Sequence, residues 1–229
     1  MITRLLLIFA KQPQPEWSKT RLAADVGLDA ADVLYRAFLA DVASRAYQLQ
    51  MRLSVHVRWV HTPSTPSFAE VLEEVAPGTS ADFSFVGYDT QDLTGQQHDQ
   101  LLTVESDGFS QVLIMGADTP HVELGVLLDA FRLLDDNDVV VGPATDGGYY
   151  LLGLRSGWDL VAGLDMGSRD VLGDLVVTAT QRGYSVGFTV SAMDIDTGAD
   201  LYELISHGSL HPASCPATCR AVHELGLGA

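Results

Sequence analysis

Lysine is nearly missing from this chain of 229 residues: there are two, Lys11 and Lys19, and both fall in one stretch near the N-terminus. Cysteine is as scarce, with Cys215 and Cys219 alone, too few for a disulfide framework. No apolar run approaches the roughly eighteen residues a membrane-spanning helix needs. The opening apolar run, Leu5–Ala10, is too short for a signal-peptide core and reads as a first core strand, so the expectation is a soluble, cytoplasmic protein without a membrane partner. Positive charge is also short: 13 basic residues face 30 acids, for a formal net charge of -17. Affinity for a polyanion comes from many cationic contacts, so a nucleic-acid polymer is excluded as partner. A single nucleotide is not, because a local cluster and a metal ion can neutralise it.

What is present is the composition of a globular protein, 47% hydrophobic and 19% charged. The few cations are unevenly placed. Arg4, Lys11, Lys19 and Arg21 stand against one acid, Glu16, over the first 21 residues, and every other acid lies beyond them. An acidic chain that concentrates its cations in one loop repels anions in general and attracts one at one place. The loop Phe9–Leu22 therefore reads as a phosphate cradle, with Lys19 and Arg21 two apart and Thr20 adding a hydroxyl. It is not a Walker loop, since Gly-x-x-x-x-Gly-Lys-Ser/Thr is absent.

Apolar runs alternate with amphipathic stretches. Strands are expected at Leu5–Ala10, Leu53–Val60, Asp82–Val86, Gln111–Met115, Asp138–Gly142, Tyr149–Leu154 and Ser185–Thr189. Helices are expected at Asp29–Met51, Ser67–Val75, Gln96–Ser106, Val122–Asp135, Ser168–Arg182 (capped by Ser168) and Gly198–His207. This alternation predicts an α/β fold of three layers with a mostly parallel sheet, in which ligands bind beyond the carboxyl ends of the strands. One domain over residues 1–207 is expected, with a tail, 208–229, packed on it.

Three further segments fall at that same sheet edge or could reach it. Asp118 follows the apolar strand Val112–Met115, and a carboxylate at a strand end suits magnesium, which takes one or two carboxylates plus substrate phosphates; equally, Asp118 or Thr119 could cap the next helix. Asp146-Gly147-Gly148 makes either a hairpin turn or a platform for a ligand. Asp194 and Asp196, two apart in extended backbone, point the same way and could complete a metal site with Asp118, or the second could cap the helix after it. In the tail, His207, His211, Cys215, Cys219 and His223 recur every four residues. Along one helix face that would suggest zinc, but Pro212 and Pro216 interrupt a continuous helix.

The order Phe-Ala-Lys-x-Pro, Lys-Thr-Arg-Leu, Gly-Ala-Asp-x-Pro, Gly-Pro-x-x-Asp-Gly-Gly-Tyr-Tyr-Leu-x-Gly-Leu and Asp-x-Asp-Thr resembles the glycosyltransferase-like proteins related to 2-phospholactate guanylyltransferase, from Leu5 to Leu204. More distantly it resembles the molybdenum-cofactor guanylyltransferases. The resemblance implies a nucleotide-diphospho-sugar transferase fold of the glycosyltransferase-A type, a nucleotide donor, and Mg2+ or Mn2+. It would place Ala10, Lys11, Lys19, Thr20, Arg21 and Asp92 on the nucleotide, Asp118 and Asp196 on the metal, and Asp146, Gly147 and Gly148 on the acceptor side. Lys19, Arg21 and Asp146 would be the catalytic residues. The chain departs from the family at Glu16, where glycine is usual, and at Gln96, in a segment that usually ends in arginine.

The expected function is a metal-dependent transferase that moves a nucleotidyl group from a nucleoside triphosphate to a small phosphorylated acceptor, releasing pyrophosphate. A glycosyltransferase using a nucleotide sugar is the first alternative, with Asp146 as base. A nucleotide-binding protein without turnover is the second. The sequence leaves the oligomeric state open, a homodimer included.

Overall fold

A computed structural model describes residues 3–63, 65–88, 93–155, 158–162, 164, 168 and 170–228. Seven strands form one sheet: β1 (Arg4–Ala10), β2 (His56–His61), β3 (Ser84–Gly87), β4 (Gln111–Gly116), β5 (Val139–Pro143), β6 (Tyr149–Leu154) and β7 (Val186–Phe188). Their order across the sheet is β3-β2-β1-β4-β6-β5-β7. Every pairing is parallel except the two made by β6. The expected three-layer, mostly parallel architecture is observed.

Alternation of side chains across the sheet explains why these strands read as continuous apolar runs. Leu6, Ile8, Leu113, Met115, Val140 and Leu151 join the core on one face. Leu5, Leu7, Val112, Ile114, Val139, Val141, Leu152 and Leu154 join the core on the other. A strand covered on both faces must be apolar at every position. The first face carries α1 (Thr20–Val26), α2 (Leu28–Leu53), α3 (Phe68–Val75), α5 (Leu124–Asp136), α7 (Gly198–Ser206) and α8 (Pro216–Glu224). The second carries α4 (Leu93–Ser106) and α6 (Val171–Gln181). Among the described residues no helix is long and apolar enough to cross a membrane.

The chain runs outward from β1 through β2 to β3, then returns to lay β4 on the other side of β1. The carboxyl ends of β1 and β4 therefore flank the point where strand order reverses, which is where open α/β sheets leave a crevice.

At four places local structure departs from the sequence expectation or decides between its alternatives. The basic loop continues into a helix, α1, that was not expected. The helix expected from Ser168 starts at Val171 and is capped by Asp170, whose carboxylate accepts from the Gly173 N–H at 2.9 Å; Ser168 instead donates to Asp174. Asp-Gly-Gly forms the β5–β6 hairpin turn, closed by the Ala144 N–H donating to the Gly148 carbonyl at 2.9 Å. In the tail, Pro216 occupies the start of α8, where its missing N–H is no loss. The five His and Cys residues are thus split between the loop 207–215, which holds His207, His211 and Cys215, and α8, which holds Cys219 and His223. Cys215 and Cys219 bring their sulfurs to 3.8 Å, but among the described residues no group of three or more His, Cys, Asp or Glu side chains is placed to hold an ion.

One polar clamp closes the β7 edge. Asp138, just before β5, accepts from the Ser185 N–H at 3.0 Å, from the Ser185 hydroxyl at 2.8 Å and from Arg155 at 3.1 Å. The Ser185 donors first, and then Arg155, hold the Asp138 carboxyl well below the usual range, at about 2 against 3.8. A depressed folded-state pKa gives stability that is fully present above the unfolded value and disappears as pH falls through the folded one. Asp138→Ala should lower stability by about 1 kcal/mol at pH 7 after allowing for solvent screening. Urea midpoints of the two proteins should converge as pH falls from about 4 towards 2.

Candidate active site

Lys19 is the residue around which the cleft is built. It ends the loop after β1 and caps α1 in a left-handed conformation, with φ of 51°. That turn aims its side chain across the sheet edge rather than into solvent. Its ammonium lies 2.9 Å from Asp118 Oδ2, 2.8 Å from Asp196 Oδ1 and 2.8 Å from the Ile195 carbonyl oxygen. The side chain is only 6% exposed. Arg21, two residues on, reaches Asp196 Oδ2 at 2.7 Å but stays 73% exposed. Burial therefore separates the two cations: one is buried in the cleft, the other is exposed at its mouth.

The acids come from two separate segments that the backbone ties together. Asp118 follows β4, and its carbonyl accepts from the Ile195 N–H at 3.0 Å, which draws residues 194–196 alongside. Neither acid is spent on capping. Thr197 caps α7, and Asp200 accepts from the N–H groups of both Asp196 and Thr197, at 3.0 and 2.7 Å. Asp25 on α1 accepts from the Gly198 N–H at 2.7 Å, locking α7 to the helix that Lys19 begins. The Asp196 carboxylate is thereby left for the two cations. Likewise, α5 starts at Leu124, six residues past Asp118, with no side-chain cap.

A cavity of about 350 Å³ opens here, lined by Lys19, Thr20, Arg21, Asp118 and Asp196 on one side. Phe9, Ala10, Lys11, Tyr35, Val60, Thr62, Gln96 and Gly116 line the rest. This is the size of a small-molecule site, with apolar, polar and ionic side chains in its lining. Tyr35 braces it: the hydroxyl accepts from the Lys11 N–H and donates to the Lys11 carbonyl, both at 2.9 Å. Burial first, and then the Asp118 charge, push the Tyr35 phenol well above its ordinary pKa, so it serves as a neutral strut.

Charge in the cleft is finely balanced. Burial alone would push the Lys19 ammonium down, but the Asp118 and Asp196 charges outweigh it and hold it above the usual lysine value. Burial would raise Asp196, yet the Lys19 charge and hydrogen bond, with Arg21 behind them, hold it below the usual carboxylate range. For Asp194 the Lys19 charge offsets burial only in part. Burial first, then the Asp118 charge, lift its carboxyl to about 7, with the Asp146 charge among the lesser causes.

Asp118 and Asp196 fit a hard divalent cation on one direct observation: an oxygen from each already converges on a single cation, the Lys19 ammonium. Carboxylate oxygen is the donor Mg2+ and Mn2+ prefer.

Of the residues expected from sequence, Ala10, Lys11, Lys19, Thr20, Arg21, Asp118 and Asp196 are brought to this one cavity. Asp92 lies outside the described residues. Asp146, Gly147 and Gly148 do not line the cavity; they sit on the neighbouring β5–β6 turn, where the exposed Asp146 accepts from the Gly148 N–H at 2.9 Å. The charge of Asp146 still reaches Asp194. Tyr35 is a cavity residue that the sequence did not single out, and Gln96, noted there only as a departure from the family, lines the cavity as well.

The fold has clear relatives among solved structures. A protein from Desulfovibrio desulfuricans G20, named as a candidate nucleotide-diphospho-sugar transferase, superimposes with a TM-score of 0.83 at 29% identity, over 98% of this chain and 97% of that one. The 4-diphosphocytidyl-2C-methyl-D-erythritol synthase of Anaerococcus prevotii DSM 20548 matches with a TM-score of 0.59 at 11% identity, over 91% of this chain and 97% of that one. A cytidylyltransferase from Leptospira borgpetersenii gives 0.53 at 14% identity, over 98% and 95%. The last two likenesses are of fold alone. No curated protein matches the chain. A family model does match, over residues 46–168, and the chain belongs to that family, described as "Uncharacterized protein conserved in bacteria (DUF2064)".

Proposed function

We propose that the protein is a metal-dependent transferase acting on a nucleotide donor, and that it moves a nucleotidyl group to a small phosphorylated acceptor with release of pyrophosphate. One observation carries this reading: the cationic turn after β1 and the carboxylates after β4 face each other across one open cavity at the switch point of the sheet. The fold it shares with nucleotide-using transferases supports the reading, as does the sequence resemblance to guanylyltransferases.

The charge inventory supports the metal. Lys11, Lys19 and Arg21 stand against Asp118, Asp196 and a nearby Asp194 carboxyl raised to about 7, so the side chains alone offer a polyphosphate only a small net attraction. A divalent ion held by Asp118 and Asp196 would supply Lewis-acid neutralisation of the phosphate charge. Lys19 and Arg21 would hold the two phosphates that leave, and the Tyr35-braced backbone at Lys11 would carry the donor's other end. In the transfer itself an ionised oxygen of the acceptor phosphate forms the new bond to the α-phosphorus. The bond from that phosphorus to the bridging oxygen breaks, and its electron pair departs with pyrophosphate. No proton moves, so no base is needed; catalysis is positioning plus charge stabilisation.

Glycosyl transfer is the second reading, favoured by the name of the Desulfovibrio relative. There an acceptor hydroxyl must lose a proton while the bond from the anomeric carbon to the diphosphate breaks. Asp146 is the exposed carboxylate placed for that on the adjacent turn. The two readings separate on product and on one variant. Nucleotidyl transfer predicts pyrophosphate from a nucleoside triphosphate, with Asp146→Asn changing the rate by less than about tenfold. Glycosyl transfer predicts a nucleoside diphosphate from a nucleotide sugar, with Asp146→Asn losing about 10² or more. Neither product from any donor, in extracts that supply the acceptor pool, overturns both.

A further inference from the structure

We infer that Lys19 and a divalent cation exclude each other at the Asp118 and Asp196 carboxylates, so that the ion enters the cleft together with nucleotide phosphate, onto which Lys19 transfers. This rests on the nucleotide-transferase reading of the cleft and adds an order of assembly to it.

An ammonium group has three N–H donors and no more. Lys19 uses all of them at the acid pair: Asp118 Oδ2 at 2.9 Å, Asp196 Oδ1 at 2.8 Å and the Ile195 carbonyl at 2.8 Å. The group is almost wholly buried there, so this is its resting place and not a passing contact. A metal ligated by the same two oxygens would sit within a few ångströms of the ammonium. Like charges that close repel strongly wherever water is displaced. One of the two cations must leave.

Lys19 cannot leave for nothing. A buried ammonium stripped of its acceptors carries its full desolvation penalty. It needs another anion within reach, and its side chain already lines the cavity in which a phosphate would lie. The metal, for its part, gains little from the protein alone. Among the described residues no three acidic, His or Cys side chains form an ion cage, Asp118, Asp194 and Asp196 included. Mg2+ and Mn2+ complete their shells with phosphate oxygens and water in such sites. Both requirements are met in one event, when a metal–nucleotide complex delivers the ion to the carboxylates and the phosphate to Lys19. Coupling of this kind is reciprocal: nucleotide must raise metal affinity by the factor that metal raises nucleotide affinity.

The test is Mn2+ uptake followed by electron paramagnetic resonance of the free ion, an observable independent of turnover. With Mn2+ alone, wild type should show no binding that Asp118→Asn removes. Lys19→Met, and Lys19→Gln as a variant that keeps a polar head in the space, should take up one Mn2+ per chain at least roughly tenfold more tightly. Adding Asp118→Asn to either should abolish that gain. A wild type that alone binds one Mn2+ per chain, lost in Asp118→Asn, overturns the exclusion. The wild-type measurement decides even if both Lys19 variants fail to fold. In a second arm, wild type receives Mn2+ with ATP, CTP, GTP or UTP in turn. Ternary binding with at least one of them is expected. A nucleotide that binds without raising Mn2+ affinity overturns the coupling. The absence of binding by all four, or by a nucleotide sugar, overturns the transferase reading instead and leaves the Mn2+-alone result to judge Lys19.

Discussion

Lys19→Met is expected to weaken nucleotide binding by roughly a hundredfold, and Arg21→Met by no more than about tenfold. The difference follows from burial. Lys19 is 6% exposed and Arg21 73%, so the first acts where water is largely excluded and the second where solvent screens it. A hydrogen bond from a charged group contributes about 1.5–3 kcal/mol when it cannot be replaced by water. Loss of Lys19 also removes one of the three cations that stand against Asp118, Asp196 and the partly ionised Asp194, which weakens the attraction of the cleft for phosphate. Isothermal titration with saturating Mn2+ present, using whichever nucleotide stabilises the wild type, reads the effect directly. Equal losses for the two variants would mean that the phosphates lie out at the mouth, near Arg21, and not in the cavity.

Asp41→Ala should destabilise the protein by about 3 kcal/mol, which for a chain of this size is a fall in Tm of roughly 6–12 °C. Asp41 is a buried carboxylate on α2 that does the work of a helix cap for a different helix. Its oxygens accept from the Ala217 N–H at 3.0 Å, the Thr218 N–H at 2.8 Å and the Thr218 hydroxyl at 2.7 Å, at the start of α8. Cys215, the residue in capping position, makes no side-chain cap of its own. Burial pushes the Asp41 carboxyl up, and these donors together with the nearby Arg45 charge pull it back only in part. Removing it relieves that burial but strands two amides and a hydroxyl, and it takes away the largest of the charges that offset the burial of Arg45. Arg45 in turn donates to the carbonyls of Pro120 and Ser214, joining α2 to the loop after β4 and to the tail. Asp41→Asn, which keeps one acceptor, should lose about half as much. Chemical denaturation of the three proteins measures the series, and an unchanged midpoint in Asp41→Ala would show that α8 holds its place by apolar packing alone.

The strands were legible because each had to be apolar on both faces. Leu5–Ala10 and Gln111–Met115 could be bounded to within a residue for that reason. Helices α1 and α8 were not legible, and for opposite reasons. Helix α1 is seven residues long, too short to show a period, and is held by the Asp25–Gly198 contact far along the chain. Helix α8 was hidden by Pro216, which breaks a helix in its interior but favours one at its first position.

At the cleft, Lys19 stood out as one of two lysines, Asp118 as the acid after an apolar strand and Asp196 by its two-residue spacing from Asp194. The β1–β4 switch point then brings them together. Whether Asp196 or Thr197 capped α7 could not be read from Asp-Thr-Gly; the Asp200 carboxylate, which holds both N–H groups, settles it in favour of Thr197. Tyr35 left no local signal at all, since it braces Lys11 from a helix 24 residues away. Asp194 was marked only by its spacing from Asp196, and its raised carboxyl comes from burial against Asp118, a contact made by folding.

A thermal-shift panel of nucleoside triphosphates and nucleotide sugars with Mn2+, run on wild type and Asp118→Asn in parallel, puts the most direct question to the shared cleft. The account predicts that at least one nucleotide at about a hundred times its Kd raises the wild-type Tm by roughly 5 °C or more, with most of that rise lost in Asp118→Asn. No shift with any nucleotide, or an equal shift in both proteins, would contradict it.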